Sequence, residues 1–271
     1  MSFRFKKIAA VGALIGAIAL AGCDQKEKDP NHIKVGVIVG SEQQVAEAAQ
    51  KVAKDKYGLD VELVTFNDYV LPNEALSKGD IDVNAFQHKP YLDQQIKDRG
   101  YKLVAVGNTF VYPIAGYSKK IKSLDELQPG SQIAVPNDPT NLGRSLLLLQ
   151  QVGLIKLKDG VGLLPTSLDI VENPKNLKIV ELEAPQLPRS LDDAQIALAV
   201  INTTYASQIG LTPAKDGIFV EGKESPYVNL IVAREDNKDA ENVKKFVQAY
   251  QSDEVYEAAN KIFNGGAVKG W

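Results

Sequence analysis

Residues Ile33–Phe66 read IKVGVIVGSEQQVAEAAQKVAKDKYGLDVELVTF, and their order predicts a strand, a helix and a second strand. The apolar, β-branched run at Ile33–Val39 is typical of a buried strand. Glu42–Tyr57 has helical spacing, and Gly58 is placed to end that helix. Asp60–Phe66 alternates in polarity, which predicts the second strand. This order favours a parallel pair of strands and therefore an α/β fold. The apolar face of the predicted helix comprises Val45, Ala48, Ala49, Val52 and Ala53.

The alternation of strands and helices continues along the chain in two series. Further strands are predicted at Ile81–Phe86, Tyr101–Val106, Tyr112–Ser118, Gln132–Pro136, Lys178–Leu182, Gln195–Ile201 and Val228–Ala233. Because 271 residues exceed the usual size of one domain, about 100–150 residues, we expect two α/β lobes, the first with a mostly parallel sheet. The predicted boundaries are 33–111 plus 232–271 for lobe I and 112–231 for lobe II, so the chain would cross between the lobes twice.

The N-terminal residues have the order of a secretory signal peptide. Basic residues precede an apolar run at Ile8–Leu20, which is shorter than the roughly 20 residues that a helix needs to span a bilayer. The run ends in Leu20-Ala21-Gly22-Cys23, which resembles the bacterial lipobox, where the cysteine is acylated and becomes the first residue after cleavage. We therefore predict a signal peptide at 1–22 and a lipidated Cys23 with a charged tether at 23–32. An ordinary signal peptide followed by an incidental cysteine is the alternative. Asp24 resembles the signal that retains enteric lipoproteins in the inner membrane.

Composition and motifs argue against most other classes of function. A formal net charge of −3 gives no electrostatic basis for nucleic-acid binding. Cys23 is the only cysteine, so no disulfide is expected. The two histidines are His32, in the tether, and His88. No Gly-x-Ser-x-Gly elbow, phosphate-binding loop or metal-ligand spacing accompanies them, and we predict no catalytic residue, metal or cofactor. A hydrolase with a pair of carboxylates stays open as an alternative, because acidic residues are scattered along the chain.

The segment Pro136–Arg144 predicts an anion-binding site at the start of a helix. A strand ends at Pro136, Asp138 is placed as the N-cap, and Pro139 as the first helical residue. The N–H groups at a helix N-terminus attract anions. Arg144 in the second turn can hold a carboxylate with two nitrogens. A normally capped helix with a solvated arginine is the alternative.

Aromatic and amide side chains form two further groups of candidates. Phe86, His88 and Tyr91 follow the third strand, where α/β sheets bind ligands, and Tyr69 follows the second. They could line an apolar slot or simply pack in a core. Asn202 and Asn229 lie in or beside buried apolar runs, where an amide needs a ligand or a backbone partner.

At these residues the chain resembles the NlpA-type lipoproteins, a family that includes methionine-binding components of bacterial ABC importers. The segments that carry the resemblance are Phe86–Leu92, Pro136–Arg144, Ala184–Arg189, Asn202–Ala206 and Ser225–Val232. The resemblance implies a two-lobed periplasmic binding protein with its ligand in the cleft. It also implies that Arg144 holds the ligand carboxylate, that Asn202 and Asn229 hold the amino and carboxylate ends, and that the aromatics with His88 surround a thioether. The predicted ligand-binding residues are Tyr69, Phe86, His88, Tyr91, Asn141, Arg144, Asn202 and Asn229.

The function that the resemblance implies is that of a lipid-anchored substrate-binding protein. It would capture methionine in its L form, with the D form as an open alternative, and deliver it to an ABC permease and its ATPase. It would lie on the periplasmic side of the inner membrane as a monomer, anchored at Cys23. Another apolar amino acid or a short peptide is the alternative ligand within the same fold.

Overall fold

The computed structural model describes residues 29–222 and 225–271. The predicted signal peptide, Cys23 and Asp24 lie outside these residues. Within the described ranges, no helix combines the length and the apolar character that a bilayer crossing requires.

Strands and helices alternate through most of the described chain. The strands are β1 (His32–Ile38), β2 (Asp60–Phe66), β3 (Val83–His88), β4 (Leu103–Val111), β5 (Ala115–Tyr117), β6 (Gln132–Pro136), β7 (Lys156–Leu157), β8 (Ile170–Glu172), β9 (Lys178–Leu182), β10 (Ile196–Ile201), β11 (Phe219–Val220), β12 (Val228–Arg234) and β13 (Val268–Lys269). The helices are α1 (Ser41–Tyr57), α2 (Leu71–Lys78), α3 (Lys89–Arg99), α4 (Pro139–Gln151), α5 (Leu187–Ser190), α6 (Thr203–Gln208), α7 (Pro213–Asp216), α8 (Glu241–Tyr250) and α9 (Asp253–Ile262).

Lobe I (residues 32–111 and 228–271) is built on a six-stranded sheet in the order β13-β4-β12-β3-β1-β2. β1 pairs in parallel with β2 and with β3, which confirms the predicted strand–helix–strand unit. β12 runs antiparallel between β3 and β4, and β13 is antiparallel at the edge. Four of the six strands therefore share one direction, as predicted, but a returning strand separates β3 from β4. Val45, Ala46 and Ala49 of α1 are fully buried in this lobe's core, where α1 packs beside α8 and α9.

Lobe II (residues 115–220) is built on a five-stranded sheet in the order β11-β5-β10-β6-β9. β6 pairs in parallel with β9 and β10, whereas β5 is antiparallel to β10. Leu142, Leu146 and Leu149 of α4 are buried in the core of this lobe. Burying such a side chain contributes about 1.5–3 kcal/mol, so these leucines hold the N-terminus of α4 firmly against the sheet.

The chain crosses between the lobes in two places. The first crossing segment, residues 112–114, joins β4 to β5, and the second lies between β11 and β12, where the described residues are 221–222 and 225–227. β12 pairs with β4 from Val228 to Arg234 and lies entirely in lobe I. The return crossing therefore precedes Val228, whereas the sequence predicts it between residues 231 and 232. The difference arises because an apolar run such as the one before Val232 occurs both in segments that cross between lobes and in buried strands, and its pattern does not distinguish the two.

The two lobes are closed on each other in this structure. Phe86 and Tyr91 of lobe I belong to the same buried apolar cluster as Leu187 and Tyr205 of lobe II. The rings of Tyr69 and Tyr205 meet across the interface, with 5.0 Å between their centroids. Side chains at the strand ends of the two sheets consequently face one space between the lobes.

Candidate functional site

That space is a pocket between the lobes, with about 350 Å³ of atom-free volume that is partly open to solvent. It is lined by Glu42, Tyr69, Phe86, Gln87, His88, Tyr91, Tyr112, Asn141, Arg144, Asn202, Thr203, Thr204 and Asn229. The structure therefore brings all eight sequence-predicted residues to one cavity. Their contacts with a ligand stay a prediction.

The start of α4 is organised by its N-cap. The Asp138 carboxylate accepts a hydrogen bond from the Asn141 backbone N–H at 2.9 Å, as predicted for an N-cap, and Pro139 follows. Its second oxygen accepts from the Asn141 side-chain amide at 2.9 Å. Because Asn141 Nδ2 donates to the Asp138 carboxylate, Asn141 Oδ1 is left as an acceptor for His88 and Asn202.

Asn141 joins the two lobes through that oxygen. It accepts a hydrogen bond from Asn202 Nδ2 at 2.9 Å and lies 3.2 Å from His88 Nε2. His88 Nδ1 accepts from the Tyr91 backbone N–H, so the proton of the neutral ring belongs on Nε2, which donates to Asn141. Burial, aided by the Arg144 charge, lowers the pKa of His88 to about 3. His88 is therefore a neutral donor at physiological pH.

Arg144 is buried, with 4 % of its side chain exposed, and it is already paired. Its Nε donates to Glu221 at 2.9 Å and its Nη2 donates both to Glu221 and to the Tyr112 carbonyl oxygen, the latter at 3.0 Å. The guanidinium carbon lies 4.4 Å from the centroid of the Tyr227 ring. The Nη1 atom makes no hydrogen bond to another described residue. The two nitrogens Nε and Nη2, which the sequence assigns to a ligand carboxylate, are thus both paired with Glu221, and Nη1 is the guanidinium nitrogen without a hydrogen-bond partner among the described residues.

The predicted aromatic wall forms on the lobe I side. Tyr69 stacks on Phe86 with 5.8 Å between the ring centroids, and Tyr91 meets both rings at 6.1 Å. The Tyr91 hydroxyl donates to the Tyr69 carbonyl oxygen at 2.8 Å, which fixes the tilt of the ring. Phe86 and Tyr91 are nearly fully buried. The wall is apolar towards the cavity, as a thioether or alkyl side chain requires.

The two buried asparagines have protein partners for part of their bonding capacity. Asn229 Nδ2 donates to the Phe86 carbonyl oxygen at 3.1 Å, which ties β12 to β3. Asn202 Nδ2 donates to Asn141, but Asn202 Oδ1 is buried without a hydrogen-bond partner among the described residues. A buried acceptor left unsatisfied costs about 1–3 kcal/mol, so Asn202 Oδ1 is a candidate ligand contact.

Sequence reasoning missed several residues of the site. Gln87, Thr203 and Thr204 are next to predicted residues within the segments that carry the family resemblance, so their position in those segments could have identified them. Glu42 follows β1 at the same sheet edge as the other candidates, and that position could have pointed to it. Glu221 pairs with Arg144 over a separation of 77 residues, which no local pattern indicates. Among the described residues, no group of three or more histidine, cysteine or acidic side chains is placed to hold a metal ion.

Comparison with known proteins agrees with this geometry. The family model for NlpA lipoproteins matches residues 33–271. The D-methionine-binding lipoprotein MetQ of Escherichia coli (strain K12) is 92% identical over 271 residues, which is 100% of both chains. A crystal structure of the methionine-binding protein MetQ matches with a TM-score of 0.89 and 95% sequence identity, and covers 90% of this chain and 99% of that one. A nutrient-binding protein from Burkholderia cenocepacia bound to methionine matches with a TM-score of 0.85 and 55% identity, covering 88% of this chain and 100% of that one. The chain therefore belongs to the NlpA lipoprotein family.

Proposed function

We propose that this protein is the lipid-anchored substrate-binding component of an ABC importer and that it captures methionine between its two lobes. One observation carries the proposal: one pocket between the lobes is lined both by an aromatic wall and by a buried arginine with amide groups. An α-amino acid with an apolar side chain has the matching arrangement of charged and apolar ends. The very high identity to a methionine-binding lipoprotein supports methionine as that amino acid.

The ligand carboxylate would lie between Arg144 of lobe II and Asn229 of lobe I. The free edge of the Arg144 guanidinium would donate to the ligand carboxylate, and Asn229 would assist from β12. Glu221 holds the guanidinium in one orientation, so little side-chain entropy is lost when the ligand binds. The neutral His88 adds no charge that would compete with Arg144 for the carboxylate.

The thioether would lie against Tyr69, Phe86 and Tyr91. Sulfur–aromatic contacts contribute about 0.3–1.5 kcal/mol each in addition to the burial of apolar area. Another apolar amino acid gains the burial but not the sulfur contacts.

Capture and release would proceed by hinge motion at the two crossing segments. Closing brings His88 of lobe I to Asn141 of lobe II and buries the ligand. The closed, lipid-anchored monomer would then present methionine to an ABC permease driven by its ATPase. Anchoring at Cys23 with retention by Asp24 would keep the protein on the periplasmic face of the inner membrane, beside that permease.

We assign no enzymatic activity to this cavity. A hydrolase of the kind considered above needs two carboxylates at the reacting bond. Among the described residues that line the cavity, Glu42 is the sole acid. Glu221 lies nearby but is neutralised by Arg144.

The test is to denature the purified protein and identify released small molecules by mass spectrometry, followed by calorimetric titration of the ligand-free protein. We expect methionine to be released and to bind more tightly than alanine, leucine or methionine-containing dipeptides. Release and tight binding of a different compound would refute methionine as the ligand, and turnover of a substrate panel would refute a binding function.

A further inference from the structure

Glu42 is a buried acid inside the cavity that the proposed carboxylate and thioether contacts leave unused. It lies in the first turn of α1, and 2 % of its surface is exposed. One carboxyl oxygen, Oε1, accepts a hydrogen bond from the Thr204 hydroxyl of lobe II. The other, Oε2, is buried without a hydrogen-bond partner among the described residues. Burial raises the pKa of the Glu42 carboxyl to about 8.

Three buried polar atoms of residues that line the pocket have no hydrogen-bond partner among the described residues: Glu42 Oε2, Asn202 Oδ1 and the Tyr112 hydroxyl oxygen. When Glu42 is ionised, its Oε2 and Asn202 Oδ1 can only accept hydrogen bonds, and these two come from opposite lobes. An unpaired buried carboxylate and an unpaired buried amide oxygen are each costly. A small group that donates several hydrogen bonds and carries a positive charge would satisfy both. The α-ammonium of an amino acid has three donors and one positive charge, which matches these two acceptors.

We infer that Glu42 is the cavity's acceptor for the α-ammonium group of the bound amino acid, acting together with Asn202. The inference rests on the proposed function and extends it, because it assigns the second charged end of the ligand to a residue that the sequence did not reveal. Arg144 and Glu42 both line the pocket, and a bound ammonium group would favour the ionised form of Glu42. The site would then select zwitterions with both charged groups on one carbon and reject carboxylic acids that lack the amino group.

Glu42 also makes closing of the lobes depend on that ammonium group. The carboxyl belongs to lobe I, whereas Thr204 and Asn202 belong to lobe II. Closing without an ammonium group buries Glu42 with one hydrogen bond, and the carboxyl must then take up a proton or stay charged at a cost. Closing around an amino acid supplies the missing counter-charge. The ammonium would thus bridge the two lobes.

The experiment compares wild type, Glu42→Gln and Glu47→Gln by calorimetric titration with methionine and with its des-amino analogue, 4-methylthiobutanoate. Glu47 lies on the exposed face of the same helix, where it accepts from Gln43, and provides the matched control. We expect Glu42→Gln to lower the affinity for methionine by about thirty-fold or more, which is the usual effect of removing one member of a buried charge pair. The analogue should bind Glu42→Gln at least as well as wild type, because no charge is then buried without a partner. Glu47→Gln should match wild type with both ligands.

Two outcomes with the Glu42→Gln variant would overturn the inference. Equal weakening of methionine and of the analogue in Glu42→Gln would show that Glu42 supports closing or folding rather than the ammonium. An unchanged affinity for methionine would show that Glu42 makes no ligand contact. Failure of wild type to bind methionine would instead refute the proposed function. The same comparison made with the amino acid that mass spectrometry identifies, and with its des-amino analogue, would then decide the role of Glu42.

Discussion

Replacing Arg144 by alanine should damage both ligand binding and the stability of the unliganded protein, and the structure separates the two effects. The side chain is 4 % exposed and joins Glu221, the Tyr112 carbonyl oxygen and the Tyr227 ring. Truncating one member of a buried charge pair with a ligand costs about 2–5 kcal/mol, which corresponds to a loss of affinity between about thirty-fold and several thousand-fold. Calorimetric titration with methionine measures this loss.

The same substitution leaves the Glu221 carboxylate without its counter-charge, and 12 % of the Glu221 side chain is exposed. Breaking a buried ion pair by removing one partner destabilises a protein by about 3–5 kcal/mol, mainly because a charge stays buried without a counter-charge. Urea unfolding of ligand-free Arg144→Ala should therefore show a clear loss of free energy of unfolding. The double variant Arg144→Ala/Glu221→Gln removes that stranded charge and should recover most of the stability.

The affinity for methionine should not recover in the double variant, because the ligand carboxylate still lacks Arg144. Methionine amide, which has no carboxylate charge, should distinguish poorly between wild type and Arg144→Ala. If the double variant regained wild-type affinity, Arg144 would act only by holding the crossing segments, and its contact with the ligand carboxylate would be refuted.

Three further predictions follow from the wall, the anchor and the buried histidine. Phe86→Ala should lower the affinity for methionine by about one to two decades and the affinity for alanine much less, because only the longer side chain reaches the aromatic wall. Equal losses of affinity for both ligands by calorimetry would show that Phe86 supports folding rather than ligand binding. Cys23→Ala should abolish incorporation of labelled palmitate, and label that persists in this variant would contradict lipidation at Cys23. Asp24→Ser should move the protein to the outer-membrane fraction, and wild-type protein found in the outer membrane would contradict retention by Asp24. The pKa of His88 falls from 6.5 to about 3 on folding, so the unfolded chain binds the proton first as pH drops. The contribution of His88 to the free energy of unfolding is complete above its unfolded pKa of 6.5 and declines towards pH 3. His88→Gln should therefore lose less stability than wild type between pH 6.5 and pH 4 in urea titrations, and parallel curves would show that His88 is not buried as a neutral ring.

Sequence periodicity predicted the backbone of this fold well where one local signal decides the structure. The strand–helix–strand unit at the start of lobe I depends on apolar spacing and on a terminal glycine, and Gly58 does adopt the left-handed conformation that ends α1. The cap at Asp138 depends on residues three apart and was equally visible. The return crossing was placed inside β12, because an apolar run does not show which of two sheets it joins.

The sequence predicts which residues line the pocket, but it does not predict which of their side chains form hydrogen bonds and ion pairs with each other. Each predicted residue lies at a strand end or in the first turns of a helix, where α/β folds collect ligand contacts. Which side chains pair with which is decided by the closing of the two lobes, and that pairing has no local signature. Arg144 and Glu221 are 77 residues apart, and Glu42 and Thr204 are 162 apart. A sequence without an alignment cannot distinguish such partners from the many other acids and hydroxyls of the chain.

These long-range pairs indicate how occupation of the cavity is linked to movement of the lobes. Arg144 contacts the first crossing segment through the Tyr112 carbonyl oxygen and the second through Glu221 and Tyr227. A carboxylate that binds the free edge of the guanidinium therefore acts on both segments about which the lobes must rotate. Glu42 and Asn202 face the cavity from opposite lobes, so a single ammonium can join them only when the lobes are closed. An amino acid, whose two charged groups share one carbon, can satisfy both conditions at once. A ligand with one charged group satisfies one condition and should leave more of the protein open. Small-angle scattering of wild type with methionine, with methionine amide and with 4-methylthiobutanoate measures this directly, and equal compaction by all three would refute the coupling.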